Sequence, residues 1–177
     1  MSNTIHDPKA PFVPNYLLYL LAAASEAASA RFHSHVRTRG LRVPEWRVMA
    51  CLTDTDGSMV TELARYAMIE QSRLTKIIIQ MDARGLVTRR SDPTDGRRVR
   101  VFLTPQGRTL AEELVADARA HELELLKSFQ GGDGSEIKET LRALIRHLEA
   151  DQPGQAGQAG QPGIDDSPAR DAAIADS

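Results

Sequence analysis

Eight cationic side chains crowd residues 70–100: Arg73, Lys76, Arg84, Arg89, Arg90, Arg97, Arg98 and Arg100. Four acids accompany them, Glu70, Asp82, Asp92 and Asp95, leaving a local excess of four positive charges. All but Lys76 are arginine, whose flat, five-donor guanidinium matches phosphate oxygens and base edges. Gln71, Ser72 and Thr75 are interleaved with them, adding amide and hydroxyl groups that can bond bases or phosphates. Charge alone fits an ordinary solvated surface better than a binding one. The elements that carry the charge therefore decide the reading.

Leu74, Ile77, Ile78 and Met81 fall at i, i+3, i+4 and i+7, which predicts a helix over about 70–84 with these four in the core. Its other face holds Gln71, Ser72, Arg73, Thr75 and Lys76. Gly85 stops it. A short helix is expected over 61–67, with Leu63, Ala64 and Ala67 inward. After the longer helix, 86–90 and 99–103 read as two strands around a turn-rich tip at 91–98. Short helix, tight turn, polar-faced helix and basic hairpin make a winged helix-turn-helix. In that arrangement Gln71, Arg73 and Lys76 reach base edges in the major groove, and Ser72 and Thr75 reach phosphates or bases. Arg97 and Arg98 at the hairpin tip suit the negative potential of the minor groove. Asp95, two residues before Arg97, is expected to steady that guanidinium through a charge-assisted hydrogen bond.

The rest of the chain reads mainly as helix. Helices are expected over about 15–39, 44–54 with Pro44 in the first turn, 105–129 behind a Thr104 cap, and 135–149. Residues 1–14, with Pro8, Pro11 and Pro14, read as an extended arm. Residues 150–177, rich in Gly and Gln, read as a disordered tail. The body would thus be one mainly α domain over 15–149, its winged helix at about 44–104 and a helical dimerisation region around it.

The net charge of −2 first argues against a nucleic-acid partner. From Asp151 onward, however, five acids meet one base, so residues 1–150 carry +2. The longest apolar stretch, Leu17 to Ala24, is far short of a bilayer span. The single cysteine and the lack of a secretory pattern fit a reducing cytoplasm.

Other chemistries find little support. His33 and His35 are two apart on a helix and point ~200° apart, so they cannot share one metal ion. Cys51 sits among Val48, Met49, Ala50 and Leu52, where an apolar setting raises a thiol's pKa, which weakens a redox-switch reading. No Gly-rich phosphate loop, nucleophile elbow or metal-ligand cluster supports an enzyme or a cofactor. A winged helix that binds only protein would not need the excess of arginine.

Several segments together resemble the MarR family of bacterial transcription regulators. They are Thr61-Glu62-Leu63-Ala64, Ser72-x-Leu74-Thr75-Lys76, Met81 with Gly85-Leu86-Val87-x-Arg89, Asp92-Pro93-x-Asp95-x-Arg97, and Leu103-Thr104-Pro105-x-Gly107. The resemblance covers about residues 15–149. It implies a homodimer joined through the first and last two helices, with Asp95 and Arg97 in a DNA-contacting wing on a double-stranded operator. It also implies a small aromatic carboxylate effector lodged between dimerisation helices and winged domain. For its carboxylate Arg31, His33, His35 or Arg37 are candidates, and Trp46 or Tyr16 for a flat apolar wall. Core packing is the plainer role for Trp46. Within the family the chain further resembles repressors of nicotinate-degradation and biofilm-polysaccharide genes, which implies a pyridine carboxylate such as 6-hydroxynicotinate as inducer.

Overall fold

The structure is a computed structural model that describes residues 10–127 and 134–150. The chain divides into two compact units between Gly131 and Gly132. Most of the proposed arm (residues 1–9) and the tail (151–177) lie outside the described residues.

The first unit runs α1 (Phe12–Asn15), α2 (Leu17–Thr38), α3 (Val43–Asp54), β1 (Ser58–Met59), α4 (Val60–Tyr66), α5 (Gln71–Ala83), β2 (Val87–Ser91), β3 (Val99–Leu103) and α6 (Pro105–Lys127). The second unit contains α7 (Ser135–Ala150), which buries none of its residues and exposes Ile137, Leu141, Ile145 and Leu148. The mainly α, winged helix-turn-helix class read from the pattern is the observed one.

Two boundaries differ from expectation. Residues 12–14, read as extended arm, belong to a helical turn, with Phe12 stacked on Tyr16 at 4.9 Å. The first long helix begins at Leu17 instead of Asn15, because Tyr16 is extended (φ −78°, ψ 122°). The segment before α4 holds the short strand β1, which pairs Ser58 with Val101.

Strands β2 and β3 are antiparallel, Val87 opposite Leu103 and Ser91 opposite Val99, and β1 flanks β3 on its other edge. One core joins the layers. Phe32 and Val36 of α2, Val48, Met49 and Leu52 of α3, and Leu63 of α4 meet the four predicted residues of α5. Val87, Val101, Leu103, Ala111 and Leu114 close it. The first half of α2 lies outside it, with Leu17, Leu18, Tyr19 and Leu20 exposed.

Alpha-helix α6 starts where the sequence motif says it should. The Thr104 hydroxyl accepts the Gly107 N–H at 3.0 Å and donates to the Gly85 carbonyl at 2.6 Å. Surface contacts lay α2 along α6: a hydrogen bond between His35 and Asp117 at 2.8 Å, and ion pairs of Arg31 with Glu124 at 3.3 Å and of Arg39 with Glu113. Each is exposed enough to contribute at most about 1 kcal/mol.

Candidate nucleic-acid interface

Helix α5 is capped by Glu70, whose carboxylate accepts the Ser72 N–H at 2.9 Å and the Arg73 N–H at 3.0 Å. The Ser72 hydroxyl also donates to Glu70, and these bonds hold the carboxyl below its ordinary pKa. Leu74, Ile77, Ile78 and Met81 are buried, so Gln71, Ser72, Arg73, Thr75 and Lys76 are all exposed on the opposite side. The hydroxyls of Ser72 and Thr75 are already committed as donors, Thr75 to the Gln71 carbonyl at 2.9 Å. Phosphate oxygens only accept, so the phosphate role expected of these two requires the bonds to break. As acceptors they remain open to base amino groups.

The hairpin tip is organised by a residue that the sequence reading did not single out as functional. Asp92 is 4% exposed and accepts from the Thr94 N–H and hydroxyl, the Asp95 N–H and the Arg100 guanidinium at 2.5 Å. Arg100 also donates to the Gly57 carbonyl at 3.1 Å, pinning the wing to the loop before β1. The Thr94 hydroxyl, followed by Arg100 and the backbone amides, holds the Asp92 carboxyl far below the usual carboxylate range. A depressed pKa stabilises the fold fully above the ordinary value near ~4 and progressively less as pH falls below it. Wild type should therefore outmelt Asp92→Asn by the widest margin at neutral pH. In thermal melts the margin should shrink from about pH 4 downward.

Asp95 does not hold the Arg97 guanidinium. Its carboxylate pairs with Arg98 at 3.2 Å and accepts only the backbone N–H of Arg97 at 3.1 Å. The reason is the turn itself. The Arg98 N–H bonds the Asp95 carbonyl at 2.8 Å, and this brings residue i+3, not i+2, beside the acid.

The eight cations thereby separate into two groups. Arg84 pairs with Glu45, Arg89 with Asp82, Arg98 with Asp95 and Arg100 with Asp92. Arg90 lies over the Phe102 ring at 4.8 Å. Arg73, Lys76 and Arg97 form no ion pair among the described residues and all are exposed. Arg97 shares a crevice of about 190 Å³ with Gln71 and Thr75, so wing and α5 present one continuous surface. Sidedness of this kind suits a polyanion with readable edges, namely duplex DNA.

The six residues proposed for an effector are not gathered into one cavity. Arg31 and His35 line a hollow of about 260 Å³ with Phe32, Asp117, His121 and Glu124. Trp46 lines a different one, of about 310 Å³, between α3 and α6, and packs edge-on against Phe32 at 5.3 Å. Tyr16, His33 and Arg37 line neither. Burial first, then Arg47 and Arg37, holds His33 below its ordinary pKa, so it is neutral at pH 7 and offers no cation. His35 bonds Asp117 at 2.8 Å, a partner that His33 does not share. No group of three or more His, Cys, Asp and Glu able to hold a metal occurs among the described residues. Among the same residues no helix is long and apolar enough to cross a membrane. Burial and then Asp54 push the half-buried Cys51 thiol up, which leaves little thiolate at neutral pH.

Comparison with known proteins gives these features a context. The MarR family model matches residues 41–99. A MarR family transcriptional regulator from Silicibacter pomeroyi DSS-3 is 58% identical, covering 78% of this chain and 99% of that one, with a TM-score of 0.72. The Mycobacterium tuberculosis repressor Rv2887 is 28% identical over 73% of this chain and 91% of its own length. Its crystal structure in complex with salicylic acid aligns at 26% identity over 77% of this chain and 98% of that one, with a TM-score of 0.59. The Bordetella bronchiseptica protein BpsR, whose DNA binding is regulated by 6-hydroxynicotinic acid, is also 26% identical, over 77% of this chain and 98% of that one, with a TM-score of 0.68. The finer resemblance to nicotinate repressors is therefore a distant one, equal in identity to the salicylate-bound structure.

Proposed function

Because the chain belongs to the MarR family of transcriptional regulators, we propose that it is a DNA-binding repressor, not an enzyme, released from its operator by a small aromatic carboxylate. One observation carries the DNA reading. Arg73, Lys76 and Arg97, the three cations of residues 70–100 with neither an ion pair nor a ring contact among the described residues, are exposed on α5 and the wing, and Arg97 shares a crevice with α5. A homodimer would set two copies of α5 in successive major grooves of a pseudo-palindromic site, ~34 Å apart. The apolar surfaces of α2 and α7 support this assembly, since Leu17, Leu18, Leu20, Ile145 and Leu148 find no core of their own. Effector release is a population shift, so the ligand must bind better to the form whose two α5 helices are misplaced for DNA.

Salicylate and 6-hydroxynicotinate are the probes to try first, since relatives are recorded with each. A gel shift on the gene's own upstream region should show saturable binding that one of the two acids releases. Release by neither would overturn the effector class while leaving the DNA reading standing. Arg73→Ala should weaken binding and relax preference at one base position, costing about 1–3 kcal/mol there. Oxidation at Cys51 is not the trigger in this account. Cys51→Ala should leave operator affinity and its insensitivity to peroxide unchanged, as the same gel shift would read out.

A further inference from the structure

Glu45 is wholly buried at the start of α3. One of its oxygens accepts the Arg42 N–H at 2.7 Å; the other takes guanidinium bonds from Arg42 at 2.8 Å and Arg84 at 3.0 Å. The Arg42 bonds alone would cap α3, so Arg84 is surplus to that task. Its second amine donates to the Gly40 carbonyl at 2.7 Å, in the turn that ends α2. Arg42 in turn reaches the Gln80 side chain at 2.5 Å, on α5. One buried carboxylate and two guanidiniums thus tie the end of α2, the start of α3 and the C-terminal end of α5.

We propose that Glu45 and Arg84 are positioning residues for DNA reading, fixing the angle at which α5 presents Gln71, Arg73 and Lys76. The inference rests on the DNA-binding role proposed above. Apolar contacts of Leu74, Ile77, Ile78 and Met81 hold α5 to the core, but such contacts have no direction. The bonds at its C-terminal end do. Thirteen residues make α5 a lever of ~20 Å, so a tilt of about 10° at Arg84 displaces the reading end by ~3 Å. Hydrogen bonds to base edges tolerate only a few tenths of an ångström. Phosphate attraction, being long-ranged, tolerates the tilt.

The test compares full-length wild type with Glu45→Gln, which keeps a cap but loses the charge, and Arg84→Lys, which cannot span Glu45 and Gly40 together. Binding to the upstream region and to random duplex is measured beside amide hydrogen exchange of residues 80–86. Both variants should lose about tenfold in upstream affinity, equivalent to one misread base pair, with random-duplex affinity unchanged. Exchange at 80–86 should rise while α6 amides stay protected. Upstream and random affinities falling together would make the pair merely structural and overturn the inference, as would exchange unchanged at 80–86. A wild type that does not prefer its upstream region overturns the DNA reading itself, and that result is visible before any variant is examined.

Discussion

Gly107→Ala should lower the melting temperature by roughly 6–12 °C, taking about 3 kcal/mol for overpacking and 2–4 °C per kcal/mol at this size. Helix propensity predicts the opposite sign, since alanine is favoured over glycine inside a helix by about 0.5–1 kcal/mol. Space decides. A Cβ at Gly107 would lie 1.9 Å from the Leu86 carbonyl oxygen and 2.8 Å from its carbon. That carbonyl cannot retreat freely, because it accepts the Thr104 N–H at 3.2 Å. The methyl would therefore push the start of α6 off the strand that leads into the wing. Gly96, at the wing tip, has nothing within 4 Å of its would-be Cβ and is the control. Gly96→Ala should melt within about 0.5 kcal/mol of wild type. Calorimetry of the two variants checks both, and an unchanged Gly107→Ala melt would mean that α6 does not sit against Leu86.

Arg97→Ala should weaken DNA binding about ten- to thirtyfold at moderate salt, or roughly 1–2 kcal/mol. Arg98→Ala, one residue along, should cost less. Arg98 is already paired with Asp95 and contacts the Met59 sulfur at 3.8 Å, so it must leave partners to meet DNA. Arg97 leaves none. The loss for Arg97→Ala should appear on every sequence and make the salt dependence shallower by about one unit, as expected of a group held in the negative field of a narrow groove. Anisotropy titrations of both variants on one duplex provide the comparison. Equal effects would mean that the Asp95–Arg98 pair does not persist on DNA.

What the sequence revealed and what it hid divide along a physical line. Spacing is local, so the buried face of α5 and its exposed polar face were legible from residues 71–81 alone. Thr104 as a cap was legible too, because the motif contains both donor and acceptor. Pairing of side chains was not. Whether Asp95 serves Arg97 or Arg98 depends on a turn that composition does not specify. Asp92 counted as one acid among four until its burial and four donors were seen. Glu45 could have been recognised as a helix cap three residues after Arg42, but its second cation lies 39 residues away at Arg84. Eight cations in a window give a charge, and only the fold tells which three of them are left with neither an ion pair nor a ring contact among the described residues. The scattered effector candidates show the same limit: Tyr16, His33 and Arg37 were chosen for their chemistry, and chemistry alone did not place them around a common hollow.

The most direct test of the account is a salt series. A labelled duplex from the gene's own upstream region and a random duplex of equal length are titrated with the full-length protein by fluorescence anisotropy. Arg73, Lys76 and Arg97 of each protomer, counted over a dimer, predict a fall of log affinity with log salt of slope about −4 to −6 on both duplexes. The upstream duplex should bind at least about 10³ times tighter than the random one throughout. Equal affinity for the two duplexes, or a slope near zero, would contradict the claim that Arg73, Lys76 and Arg97 form a DNA-reading surface.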